Sequence, residues 1–253
     1  MKRTISLNQC VFDINGDFDF FASLRKVTGC HIQTMPASEL LSKSGIVEAW
    51  RNRSITNFMY LLVLNILAQR SMNDLSKYPV FPWILSDYSS EEINLDDPNA
   101  YRRLDTPLGA YDDARFANIK IQQQNCFDKI EYCLYRTHYS SAASVIGYLI
   151  RTEPFTSLHI NLQNGKFDHP NRLFFSIEQS WFSVSHETSD FRELIPQFFC
   201  DPHFLMNENG FDLGKTMNGH DVANVTLPKW AKNSAYRFIE IQRMAIESEY
   251  VSQ

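Results

Sequence analysis

The run Asn73-Asp74-Leu75-Ser76-Lys77-Tyr78-Pro79-Val80-Phe81-Pro82-Trp83-Ile84-Leu85 restricts the fold of this chain more than any other stretch. Pro79 and Pro82 each fix φ and remove a backbone donor. Each also pushes the residue before it, Tyr78 and Phe81, toward extended backbone. A helix or central strand is therefore excluded, yet Tyr78, Val80, Phe81, Trp83, Ile84 and Leu85 are residue types that seek burial. The reading that satisfies both constraints is an irregular, extended segment inside a core. Such a segment needs side chains from elsewhere to bond its buried backbone groups.

The chain before this segment supplies a partner for it. Thr56 is a suitable N-cap for a helix running to about Gln69. Phe58, Met59, Leu61, Leu62, Val63, Leu64, Ile66 and Leu67 make that helix apolar nearly all round, so it is expected to be buried. Asn65 within it must find a hydrogen-bond partner, and the backbone of the extended segment is the natural one. Glu39 to Trp50 is expected to form an amphipathic helix. Further helices are expected over Ser140 to Arg151, residues 173–184 and Tyr236 to Ser252. Phe155 to Leu162 fits helix or strand. Asp190 to Phe198 is expected to hold a short helix that ends at Pro196. Residues 89–106 and 207–220 read as loops and turns.

With 44% hydrophobic and 13% aromatic residues among 253, the chain can build a sizeable core. The net charge is −5, and the densest basic groups are only Arg51 with Arg53 and the pair Arg102-Arg103. That distribution speaks against a nucleic-acid surface and against strong electrostatic binding to anionic membranes. Five cysteines, an odd number with no CxxC pair, indicate neither a disulfide framework nor a zinc ribbon. The longest apolar run, Phe58 to Leu64, is far short of the ~20 residues that span a bilayer.

No HExxH, GxSxG, P-loop or GxGxxG occurs. The raw material of a catalytic triad would be His138, Ser140, Asp168 and His169, but their spacing encodes no geometry. A structural role fits these residues better, with Asp168 capping the turn before Pro170 and Arg172 pairing with Asp168 or Asp190. In Asp190-Phe191-Arg192-Glu193-Leu194-Ile195-Pro196, the apolar residues are expected to pack. Arg192 and Glu193 are candidates for a partner-facing surface, and Glu193 is equally open to a structural role.

An ordered series of motifs resembles the BEACH domain family, the module of neurobeachin and of the Chediak–Higashi protein. It begins with Asn57-Phe58-Met59-Tyr60-Leu61, Leu64-Asn65, Arg70-Ser71-Met72-Asn73-Asp74-Leu75 and Tyr78-Pro79-Val80-Phe81-Pro82-Trp83. It continues with Thr137-His138-Tyr139-Ser140, Glu153-Pro154-Phe155-Thr156 and Gly165-Lys166-Phe167-Asp168-His169-Pro170-Asn171-Arg172. Trp181, Ser189-Asp190, Glu193-Leu194-Ile195-Pro196, Leu227-Pro228-Lys229-Trp230-Ala231 and Glu247-Ser248-Glu249-Tyr250-Val251 complete it. Arg136 departs from the family, which has glycine there.

The resemblance implies a mainly α fold, with helices around a core of extended irregular segments. It implies that residues 1–30, a strand then a helix, are the C-terminal tail of a PH-like domain and a linker. Residues 31–253 would be a BEACH domain that stops before the family's usual end, leaving apolar surface open on residues 238–246. It further implies a scaffold that is not an enzyme and uses no cofactor or metal. Such a scaffold would recruit proteins in vesicle trafficking, lysosomal dynamics and autophagy, through a groove at the joint with a PH-like domain. Membrane association would be peripheral and through partners. The alternatives are a hydrolase using His138 and Asp168, or a direct lipid-binding module. Asn57, Asn65, Asn73, Asp74, His138, Asp168, Arg172 and Glu193 are expected to bond buried backbone.

Overall fold

A computed structural model describes residues 36–124, 139–187 and 189–252. The strand and helix expected over residues 1–30, and His138, lie outside the described residues. Eight α-helices occur among those described: α1 Ala37–Lys43, α2 Ile46–Arg51, α3 Asn57–Leu67, α4 Asp113–Gln124, α5 Ala142–Tyr148, α6 Phe155–Leu162, α7 Ile177–His186 and α8 Ala235–Ile246. Between them run extended segments and single 3-10 turns. Among the described residues, strand-like pairing outside the helices amounts to isolated bridges, such as Phe81 antiparallel to Leu194 and Ser176 parallel to Thr226. The fold is mainly α, with irregular chain in its centre.

The proline-aromatic segment runs through that centre. Phe81, Trp83, Ile84 and Leu85 are fully enclosed, and Tyr78 is nearly so. Trp83 lies 5.5 Å from the Trp181 ring, 5.7 Å from Tyr88 and 6.2 Å from Phe198. Phe81 sits 5.1 Å from Phe58 of α3 and 5.4 Å from Phe199. Each large side chain so enclosed contributes about 1.5–3 kcal/mol. The segment therefore anchors α3, α7 and the turn Pro196–Phe199 at once.

Thr56 caps α3 by accepting from the Met59 N–H. The helix buries Asn57, Phe58, Leu62 and Asn65, while Met59 remains 38% exposed, so it is a flank of the core rather than its axis. The single helix expected over Glu39 to Trp50 is two helices. Gly45 stands between α1 and α2 at φ 68°, a left-handed conformation that breaks the ladder and that glycine adopts without strain. Phe155 to Leu162 is helical, and the Glu153–Pro154 bond before it is cis.

No helix forms over Asp190 to Ile195. The chain is extended there because Phe81 and Leu194 exchange both backbone bonds, at 2.9 and 2.8 Å, and the 3-10 turn begins only at Pro196. Residues 238–246 do not present the open apolar face expected of them. Phe238, Ala245 and Ile246 are fully enclosed, Ile239 and Ile241 are buried, and only Met244 among the apolar residues faces out. The covering comes from within the chain, including Trp230, whose ring stacks on Phe238 at 5.6 Å.

Candidate functional site

The elements meet at two places that matter for function: a braced interior around the proline-aromatic segment, and a polar cleft directly outside it.

In the interior, three side chains, Asn65, Arg70 and Glu193, bond the segment's backbone, and a fourth, Gln197, bonds one of its side chains. Asn65 accepts from the Val80 N–H at 2.8 Å, and its amide donates to Val80 O and to Leu61 O, each at 2.9 Å. Arg70 donates to Tyr78 O at 2.9 Å and to the Tyr139 hydroxyl at 2.6 Å. Gln197 donates to the Tyr78 hydroxyl at 2.7 Å. Glu193 accepts from the Trp83 N–H at 3.0 Å, while the Trp83 indole donates to Arg192 O at 2.9 Å. These bonds do the work that sheet ladders or helix turns do elsewhere.

Glu193 is only 6% exposed, so its carboxylate faces the interior and not a partner. The reason is the Trp83 N–H, which has no regular-structure acceptor. Burial pushes the Glu193 carboxyl above its ordinary range, against the opposing pull of Arg102. Arg102 is itself 5% exposed, with its guanidinium 3.8 Å from the Glu193 carboxylate. In the sequence Arg102 shows only as half of the basic pair Arg102-Arg103. The structure makes it the counter-charge of a buried acid.

Two further arginines are spent on backbone. Arg151 donates to Phe174 O at 2.8 Å and Ala223 O at 2.7 Å, and burial lowers its pKa to about 10. Arg115 donates to Val184 O and Asp190 O, with its guanidinium 4.0 Å from the Phe191 ring centre. Nothing in the local sequence marks these arginines as interior, since the residue type is usually exposed.

Motif residues far apart in the sequence meet. Glu247 accepts from the Asn57 N–H at 2.7 Å and the Phe58 N–H at 3.2 Å, and Asn57 donates to Ile246 O at 2.8 Å. Asn57 also accepts from the Trp50 indole, whose ring stacks on Tyr60 at 4.5 Å. Ser248 begins the turn that follows. The Trp230 indole donates to Asp87 O, next to the buried Pro228. Asn73 is exposed. Asp74 caps the turn Leu75–Lys77 through Ser76, whose bonds hold its carboxyl below the ordinary range.

Of the alternative triad, Asp168 and His169 are otherwise engaged. Asp168 accepts from Arg172 at 2.7 Å and from the His169 N–H at 2.7 Å, and Arg172 stands 72% exposed at the surface rather than bonding buried backbone. The Asp168 N–H donates to His159 Nε2 at 3.2 Å, and His159 stacks on Phe167. Burial lowers the His159 pKa, with Asp168 working against it. Pro170 packs against Gly214, where φ is 80° and an added Cβ would come within 2.8 Å of the ring. Among the described residues, no three His, Cys, Asp or Glu side chains converge to hold a metal ion.

The cleft, of about 480 Å³, lies between the chain at Leu173–Ser176, the outer face of α7 and the chain at Ser189–Arg192. Ser141 and Ser144 of the α5 start close one side. Arg192 enters it at 33% side-chain exposure, paired bidentately with Asp190 at 2.8 and 2.5 Å. Burial acts to raise the Asp190 carboxyl, but the bonds from Arg192 and Ser183 outweigh it and hold the group below its ordinary range. Of the two partner-facing candidates, Arg192 reaches this open surface and Glu193 does not.

Residues 48–253 match the family described as the Beige/BEACH domain. The chain belongs to the BEACH family. It is 50% identical over 206 residues to BEACH domain-containing protein B of Arabidopsis thaliana, covering 81% of this chain and 8% of that protein. It is 47% identical over 203 residues to BEACH domain-containing protein lvsD of Dictyostelium discoideum, covering 80% of this chain and 7% of that protein. The chain thus spans less than a tenth of these relatives' length. In this BEACH domain no helix among the described residues is long and apolar enough to cross a membrane.

Proposed function

We propose that this BEACH domain is a scaffold without catalytic activity that recruits protein partners in vesicle trafficking and membrane or lysosomal dynamics. The observation that carries the reading is the commitment of its interior charged groups. Glu193, Arg70, Arg115 and Arg151 bond backbone of the irregular core or of the chain packed on it. Such a frame holds its surface in one shape, which lowers the entropy cost of docking a partner. Peripheral membrane association through proteins, with a PH-like domain as a neighbour, belongs to the same proposal.

The test compares binding of the purified chain to three preparations. These are a cytosol-stripped membrane fraction, the same fraction shaved with protease, and protein-free vesicles of neutral or anionic lipid. Recruitment through proteins requires saturable binding to the first and loss of binding to the second. Equal binding to the protein-free vesicles would replace this reading with direct lipid association.

A further inference from the structure

We propose that the cleft beside α7 accepts an extended, uncharged polar peptide from a partner protein, laid as an added strand along Phe174 to Ser176. The inference rests on the recruiting role above and names the surface and the partner chemistry.

The argument starts from the backbone. Residues Phe175 to Ile177 already pair on one edge with Thr226. Its N–H donates to Phe175 O at 2.7 Å, and its carbonyl accepts from the Ile177 N–H at 3.1 Å. In extended chain the groups of alternate residues point to opposite edges. Phe174 and Ser176 therefore address the other edge, and both line the cleft. The N–H groups of Phe174 and Ser176 have no hydrogen-bond partner among the described residues.

The carbonyls on this edge are taken. Phe174 O accepts from Arg151, and Ser176 O accepts from the Ser180 N–H and hydroxyl. The edge thus offers two donors at a two-residue spacing and no free acceptor. That pattern is complementary to the carbonyls of alternate residues in a second extended chain. Strand addition of this kind takes affinity from main-chain bonds and specificity from the pockets around them.

The surroundings fix the chemistry of the occupant. Arg172 and Arg192 bring two positive charges to the cleft, and Glu187 and Asp190 bring two negative ones, so no net field selects a charged ligand. The remaining lining is mixed, with Leu173, Phe174, Phe175 and Phe191 beside hydroxyls and amides such as Ser144 and Gln179, and polar groups make the larger part of it. These polar groups suit a peptide rich in uncharged polar residues. A phosphate or phosphopeptide would meet two carboxylates beside the same donors.

The experiment selects a random library of short linear peptides against the full chain and studies the peptides that bind. Four results are expected. The peptides are uncharged and polar, with affinity changing less than about twofold between about 50 and 500 mM salt. Amide-to-ester replacements, which weaken a carbonyl acceptor, lower affinity about tenfold at every second peptide residue. Bound peptide slows hydrogen exchange at the Phe174 and Ser176 amides. Gln179→Trp, an exposed position on the cleft wall, abolishes binding while leaving the thermal melt unchanged.

Acidic or phosphorylated peptides that weaken steeply with salt would overturn the proposal in favour of anion binding. Peptides indifferent to Gln179→Trp would overturn the choice of cleft and leave the recruiting role standing. Failure to select any peptide would overturn this inference alone, because the membrane-shaving experiment decides the broader role with intact proteins.

Discussion

Asn65→Leu nearly keeps the size of the side chain and slightly raises the helix propensity of its position, but it removes every bond between α3 and Val80. Val80 N and O, at a half-buried residue, are then left without partners, at about 1–3 kcal/mol each. Leucine recovers roughly 1–2 kcal/mol through its own burial. Taking the middle of each range, the net expectation is a loss of about 2.5 kcal/mol, which for a chain of this size lowers the melting midpoint by roughly 5–10 °C. A companion variant, Asn65→Asp, keeps the acceptor for the Val80 N–H but sets a carboxylate against Val80 O and Leu61 O. Its acid form can donate where its ionised form cannot, so its folded pKa is raised. Stability should then be lost as pH rises from the unfolded carboxyl value through the folded one, and be regained on acidification. Urea titrations of the three proteins across pH 4–8 measure both effects. A leucine variant within about 0.5 kcal/mol of the parent, or an aspartate variant with no pH-dependent difference from the parent, would refute the bracing argument.

Glu193→Gln leaves the Arg102 guanidinium enclosed without its counter-charge and is expected to cost about 3–5 kcal/mol. Pairing it with Arg102→Met should recover most of that in a double-mutant cycle, and additive losses would count against a coupled pair. Glu247→Ala removes the acceptor for two N-terminal donors of α3, and a loss of about 1–2 kcal/mol is expected by thermal melt. His159 has its folded pKa lowered from 6.5, so the stability it contributes is present above that value and lost as pH falls through the folded pKa. His159→Gln, which keeps an acceptor near the Asp168 N–H, should remove this part of the acid sensitivity. An unchanged difference in midpoint between pH 7.5 and pH 5 would count against it.

The central segment was legible because two prolines and six core-seeking residues leave little besides buried extended chain. The bond between Asn65 and Val80 followed from the same logic, since a polar side chain in an apolar helix must be satisfied. The brace arginines were not legible. Arg102, Arg115 and Arg151 differ from surface arginines only by the distant groups that lie near them, a carboxylate for Arg102 and carbonyls for the other two, and that is decided by tertiary structure. The residues after Asp190 misled for a related reason. Leu194 and Ile195 have adequate helix propensity, but the antiparallel bridge to Phe81 overrides it from more than a hundred positions away. The break at Gly45 was hidden by an apolar pattern that continues in phase across both helices. At the cleft, residue types pointed to Arg192 and Glu193 alike, and only the orientation of extended chain separates the outward residue from the inward one.

The contact between Glu247 and the start of α3 also sets a timetable. The Asn57 N–H waits for an acceptor 190 residues further along the chain. At the ~5–20 residues per second of protein synthesis, that interval is roughly 10–40 s. Throughout it the helix that carries Asn65 lies without its clasp, and the Trp83 N–H also waits for Glu193, 110 residues on. The interior of this domain therefore cannot close in the order in which it is made. It closes backward, when α8 returns to lock the early helices, and a ribosome-bound chain lacking α8 is the state most in need of a chaperone.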